Sequence, residues 1–129
     1  HPLRLLSDID KYKKFNNYLI TPYSSFSINI KSKIPVKNIL DFGLQVKNKR
    51  FKFESNYAVL PNSLAISYAL GVCTSGESKG IFLAGLDGYT ENSPRKFEMD
   101  ELFQRYKLEK ASKKICTLTP STYKVKLIN

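Results

Sequence analysis

Short apolar runs alternate with longer mixed segments along the second half of the chain, in a pattern typical of α/β proteins. The runs predict strands over residues 57–60, 81–84 and 115–118, with helices over 62–75 and about 98–113 between them. Because strand–helix–strand crossovers are right-handed, these strands are expected to be parallel, with their carboxyl ends at one edge. The pattern predicts a Rossmann-like three-layer sandwich with a mostly parallel sheet and an antiparallel hairpin.

The hairpin belongs to the first half of the chain, where the pattern is less regular. Alternating side chains predict strands within 39–46 and over 50–53, joined as an antiparallel pair by a turn at 47–49. A capping-box-like start at Ser7 predicts a helix over roughly 8–16, and 18–21 predicts a short strand ended by Pro22. Residues 23–35 are ambiguous, and 123–128 alternate as a last strand would.

Both helices of the second half have informative faces. The helix over 62–75 has almost no polar stripe, which predicts burial on more than one side, and Gly76 is its expected stop. In the helix over 98–113, acidic residues are expected in the first turn and lysines at the end, as the helix dipole favours. Its apolar positions follow helical spacing on one face: Met99, Leu102, Phe103 and Tyr106.

Length and composition indicate one globular α/β domain over residues 1–129. The chain has 129 residues, 42% of them hydrophobic, which is enough for a core. No apolar run approaches the roughly 18 residues that span a membrane, and the sequence shows no signal-peptide pattern, so a cytoplasmic location without a membrane partner is expected. Since the chain begins at His1 rather than Met, we expect a domain excised from a longer protein.

The net charge of +10 raises the question of nucleic-acid binding. Of the 21 basic residues, however, 17 are Lys and four are Arg, and they are scattered along the chain. Arg is the residue that bidentate recognition of phosphates and bases favours. Solvated surface lysines therefore explain the charge better than a nucleic-acid partner does.

Cysteine and histidine content exclude several kinds of site. Cys73 lies in an apolar helical pattern and Cys116 in an apolar strand, so both are interpreted as reduced core residues. With a lone His1, neither a His/Cys metal cluster nor a histidine triad can be assembled, and no cofactor is expected.

The strongest candidate for a ligand-binding residue is Asp87, in a turn directly after the apolar strand over 81–84. Ligands of open α/β sheets bind beyond the carboxyl ends of the strands, and acidic residues there accept hydrogen bonds from ribose or sugar hydroxyls. Gly85 and Gly88 would let a ligand approach closely, and Tyr89 could stack on a ring. The alternatives are an Asp87 that stabilises its own turn and a Tyr89 half-buried at the sheet edge.

Four further residues are placed at the same edge by the predicted topology: Asn62, Ser63, Thr119 and Ser121. Asn62 and Ser63 either bind phosphate at a helix N-terminus or simply cap the helix. The hydroxyls of Thr119 and Ser121 either contact a ligand or cap a turn. Glu98 is interpreted as electrostatic support for its helix rather than as a general acid or base, and no glycine-rich phosphate loop is present.

Four segments together resemble one bacterial domain: 60–70, 81–89, 98–103 and 117–120. It is the region C-terminal to aldolase-like barrels of the HMG-CoA lyase and 4-hydroxy-2-oxovalerate aldolase type, fusions associated with surface carbohydrate gene sets. The resemblance implies an accessory, non-catalytic domain that binds a small polar ligand such as a nucleotide or sugar, or docks on the aldolase-like barrel of its parent chain.

A more distant resemblance concerns Gly85, Asp87 and Tyr89, which follow a helix and a strand as in Campylobacter-type sialyltransferases and pterin-diphosphokinase-like domains. This resemblance implies that Asp87 lies near a bound nucleotide. It also gives the alternative function for the chain, that of a nucleotide-sugar transferase fragment. This chain has no glycine-rich first strand, and its loop 90–97 has no His to serve as a base. The architecture and a partial site are carried over, and the activity is not.

Overall fold

The computed structural model describes residues 2–13, 17–34 and 37–128, and the chain forms two compact units, 1–44 and 45–129. The fold is mixed α/β, with helices and with both parallel and antiparallel strand pairs. The expectation of one domain over 1–129 stays a prediction.

The first unit contains two parallel strands and short helical segments. β1 pairs with β2 in parallel, with Leu19 opposite Ile39. The predicted strand at 18–21 is confirmed as β1, whereas the predicted helix starts earlier, at Pro2, and its residues 14–16 lie outside the described residues. The ambiguous segment 23–35 contains two short helical turns up to residue 34. The elements in order are α1 (Pro2–Lys13), β1 (Leu19–Thr21), a 3₁₀ turn (Tyr23–Ser25), α2 (Ile28–Lys31) and β2 (Ile39–Asp41).

A three-stranded sheet follows in the chain, in which β5 lies between β3 and β4. They are β3 (Gly43–Val46), β4 (Lys52–Phe53) and β5 (Tyr57–Leu60). The predicted pairing of the strand ending at Val46 with 50–53 is wrong, because β4 instead forms an antiparallel pair with β5, with Lys52 opposite Val59. The backbone N–H of Glu54 donates to the carbonyl of Tyr57 at 3.0 Å, which closes the turn between β4 and β5.

A second sheet of three parallel strands carries the predicted ligand edge. It comprises β6 (Ile81–Leu83), β7 (Ile115–Thr117) and β8 (Lys126–Leu127), in that order. Ile81 lies opposite Ile115, so the predicted parallel pairing of these two strands is confirmed. β5 was predicted to join them, but in the described part of the chain its ladder partners are β3 and β4.

The second unit has two longer helices: the first connects its two sheets, and the second connects β6 with β7. α3 (Ala65–Ser75) buries one face completely, and its other positions are mostly half-buried, with Ala65 and Ala69 exposed. Gly76 is its C-cap residue, as predicted. α4 spans Pro94–Leu108, with Ser93 at the N-cap position, so it begins and ends earlier than predicted. Its first turn therefore lacks the acidic residues expected there.

The core of the second unit confirms the helical spacing of α4. All four predicted face residues are buried, and Tyr106 is completely so. Its ring packs edge-on against Phe51 and Phe53, with centroid distances of 5.6 and 6.0 Å. Both cysteines are free thiols; Cys116 is buried, and Cys73 is half-buried, which raises the pKa of its thiol.

Candidate functional site

Two loops meet where β6 and β7 end, as the parallel topology requires. The backbone N–H of Leu118 donates to the carbonyl of Leu83 at 2.8 Å and extends the ladder by one residue. Immediately beyond, the N–H of Gly85 donates to the Thr119 Oγ1 at 3.0 Å. The structure thus brings together Gly85 and Thr119, two predicted site residues that are far apart in the sequence.

Thr122 holds the rest of the first loop. Its N–H donates to the carbonyl of Asp87 at 2.8 Å, and its Oγ1 donates to the carbonyl of Tyr89 at 3.3 Å. Gly85 and Gly88 have φ angles of +68° and +104°, values that favour glycine. The loop is consequently fixed by its backbone and by threonine hydroxyls. We refer to residues 85–89 and 119–122 together as the loop pair.

The carboxylate of Asp87 takes no part in this bonding. The side chain is exposed and has no hydrogen-bond or ion-pair partner in the part of the chain that the structure describes. A turn-stabilising Asp would accept hydrogen bonds from the backbone of its own loop. The structure therefore leaves this acceptor group available at the edge of the sheet.

Tyr89 lies at the surface, with 41% of its area exposed. The guanidinium carbon of Arg95, in the first turn of α4, is 5.8 Å from the centre of its ring, which is within the range of a cation–π interaction. Tyr89 thus presents an aromatic ring beside a positive charge, two residues after Asp87 in the sequence.

The side-chain oxygen of Asn62 forms hydrogen bonds at the start of α3. This Oδ1 atom accepts hydrogen bonds from the N–H of Leu64, at 3.2 Å, and from the Ser67 hydroxyl. The helix cap position belongs to Leu64 rather than to Asn62 or Ser63. No hydrogen bond among the described residues joins Asn62 or the exposed Ser63 to the loop pair. The expected anion site at this helix start is therefore partly filled by a side-chain oxygen.

Ser121 and Glu98 also have local surroundings. The Ser121 hydroxyl accepts a hydrogen bond from the N–H of Tyr123 at 3.3 Å, so it supports its own turn. Glu98 lies in the second turn of α4 and lines a polar cleft of about 160 Å³ together with Asn62, Glu101 and Arg105. The hydrogen bond from Arg105 lowers the pKa of Glu101.

The chemistry of the loop pair is that of hydrogen bonding. An ionised carboxylate only accepts, so it pairs with ligand hydroxyl or amino groups, while Thr119, which accepts from Gly85, keeps its proton to donate. Within residues 2–13, 17–34 and 37–128, no group of three or more His, Cys, Asp or Glu side chains is placed to hold a metal ion.

Sequence reasoning missed Thr122 and Arg95. Thr122 contacts the loop through long-range backbone geometry, which no local pattern reveals. Arg95 follows Pro94, and a Ser-Pro pair is a recognisable helix start. Placing the start of α4 there would have brought Arg95 close to Tyr89.

Comparisons of the chain with protein-family models, with curated proteins and with solved structures found no match. In the described residues, no helix is both long enough and apolar enough to cross a membrane.

Proposed function

We propose that this chain is an accessory, non-catalytic domain that binds the hydroxyl groups of a nucleotide or sugar at the loop pair. In the same proposal, its two sheets and helices belong to a Rossmann-like three-layer arrangement, and the domain serves a larger bacterial aldolase-like enzyme of surface carbohydrate biosynthesis. The resemblance of residues 60–70 and 81–89 supports the enzyme context.

The observation that carries the proposal is the unpartnered Asp87 carboxylate between two glycines of positive φ. Neighbouring backbone groups are already fixed by Thr119 and Thr122, so the loop needs no help from this side chain. A carboxylate at the carboxyl end of a parallel strand is well suited to accept hydrogen bonds from vicinal hydroxyls.

The composition of the loop pair favours binding over catalysis. Asp87 is its one ionisable group apart from the Tyr89 phenol, and acid–base catalysis on a sugar usually needs a second carboxyl group or a histidine. Binding of hydroxyl groups at the edge of the sheet does not require a pair of acid and base groups.

Isothermal titration calorimetry with cytidine and adenosine monophosphates, cytidine-activated sugars and free hexoses tests the proposal. We expect at least one of these compounds to bind, and its analogue lacking the vicinal hydroxyls to bind about tenfold more weakly or worse, since hydrogen bonds to a charged group are worth about 1.5–3 kcal/mol. Asp87→Asn should reproduce that loss.

The matched control is Glu77→Gln, which changes an exposed carboxylate before β6, at the opposite end of that strand. It should leave the affinity unchanged. Absence of binding by every compound, or equal affinity of Asp87→Asn and the native chain, would contradict the proposal. Turnover of a cytidine-activated sugar by the chain would support the alternative, a sialyltransferase-like fragment.

A further inference from the structure

One face of the β6-β7-β8 sheet is open at β6 and β8, although Cys116 in the central strand is buried, and the other face is buried at β6 and β7. Residues paired across parallel strands point to the same side, so Phe82, Cys116 and Lys126 share one face. On the opposite face, Ile81 and Ile115 are both buried. The first face, in contrast, leaves Phe82 61% exposed.

The open face forms a broad groove of about 600 Å³. Its floor is apolar: Phe82 lies over β6, Cys116 at the centre and Ile128, which is 41% exposed, beyond β8. Three exposed lysines, Lys79, Lys114 and Lys126, also line it, and none of the described residues that line it is acidic. We call this surface the lysine-rimmed face.

We propose that the lysine-rimmed face docks an amphipathic helix with acidic polar positions, supplied by a partner protein. Parallel sheets of α/β proteins are covered on both faces, and helices are the usual cover. The apolar floor matches the apolar stripe of such a helix, and the lysines match acidic residues along its borders. The proposal is independent of the ligand site, which lies at the sheet edge.

Other occupants fit the face less well. A symmetric pair of copies would bring the same lysine-rich patch against itself, which like-charge repulsion disfavours. Single-stranded nucleic acid is bound by several stacked aromatics, and Phe82 is the one aromatic among the described residues that line the groove. A small molecule needs a pocket that encloses most of its surface, whereas Phe82 is open to solvent.

Two synthetic amphipathic peptides with identical leucine faces test the proposal, one with glutamates and one with lysines on its polar face. Their affinities for the full chain are measured by fluorescence anisotropy. The test variant reverses the three lysines of the face, and a second variant is Phe82→Ser. A matched control reverses three exposed lysines elsewhere: Lys33→Glu, Lys47→Glu and Lys110→Glu.

We expect the glutamate peptide to bind the native chain and the control alike, and the reversed face and Phe82→Ser about tenfold more weakly. The lysine peptide should prefer the reversed face. Thermal melting confirms that each variant is folded. Equal binding of both peptides, or binding unaffected by Phe82→Ser, overturns the proposal. If the chain forms a dimer in sedimentation and Phe82→Ser abolishes it, the occupant is a second copy and the proposal is overturned. If the chain binds oligouridine and Phe82→Ser abolishes the binding, the occupant is a nucleic acid and the proposal is likewise overturned.

Discussion

Thr122 packs so closely on Gly88 that a Cβ atom on Gly88 would lie 1.9 Å from the Thr122 Oγ1 and 3.1 Å from its Cβ. The same threonine donates its N–H to the carbonyl of Asp87. Contact and hydrogen bond together hold Asp87 in place in the loop that follows β6.

Replacing Gly88 by alanine should therefore destabilise the loop pair. The change combines a φ of +104° with the contact on Thr122, so we expect a loss of about 2 kcal/mol or more in the free energy of unfolding. Gly85→Ala is the control, because its φ is +68° but nothing lies within 4 Å of the added Cβ, and it should cost about 1 kcal/mol. Equal losses in urea unfolding would contradict this account of Gly88.

The buried hydroxyl of Tyr106 should contribute measurably to stability. The Thr74 Oγ1 donates to the Leu70 carbonyl at 2.7 Å, so it accepts from the Tyr106 hydroxyl 2.6 Å away, and that hydroxyl accepts from the N–H of Lys113 at 2.9 Å. Tyr106→Phe removes the donor to the Thr74 Oγ1 and the acceptor of the Lys113 N–H, and it should cost about 1–3 kcal/mol in denaturant unfolding. Tyr18→Phe, at a tyrosine 67% exposed, should change little.

The ammonium group of Lys96 lies near the start of α4, where it should stabilise the second unit. It is 2.7 Å from the Asp100 Oδ2 and 3.6 Å from Glu91, and its hydrogen bond with Asp100 raises the pKa of Lys96. Lys96→Met leaves the Asp100 carboxylate without this partner, so the melting temperature should fall. Lys11→Met, which breaks an exposed pair with Asp8, should lower it less. If Lys11→Met lowers the melting temperature more than Lys96→Met does, the stabilising role of the Lys96–Asp100 pair is contradicted.

Acid should weaken the first unit through Asp41. Hydrogen bonds from Ser24, above all from its hydroxyl, lower the pKa of the Asp41 carboxyl. A lowered folded-state pKa adds stability above the unfolded value of about 3.9, and this is lost as the pH falls through the folded-state pKa. Ser24→Ala should raise the pKa of Asp41 in a carbon-13 NMR titration, whereas Ser25→Ala, in the same turn, should not. An unchanged pKa in Ser24→Ala would rule out this cause.

Local patterns predicted elements more reliably than pairings. The apolar face of α4 was predictable because Met99 and Tyr106 belong to one helical repeat, and the parallel pairing of β6 with β7 followed from crossover handedness. The strand at 50–53 was assigned the wrong partner because short turns precede and follow it, and alternation alone does not choose between them.

In the candidate site too, some contacts could be predicted from the sequence and others could not. The meeting of Gly85 with Thr119 was expected from parallel strands that end together. The contact of Gly88 with Thr122 was not, because it depends on the path of two loops. Asn62 and Ser63 were placed at the same edge on the assumption that β5 joins the sheet of β6, and the ladders place it in another sheet.

The most direct test of the central claim is a nitrogen-15 NMR titration of the chain with cytidine monophosphate and with its 2′,3′-dideoxy analogue. We predict shifts concentrated in residues 85–89 and 119–122 with the ribonucleotide, which weaken to a similar extent with the analogue and in Asp87→Asn. Shifts centred instead on the cleft beside Glu98, or equal shifts with both compounds, would contradict a hydroxyl-binding site at Asp87.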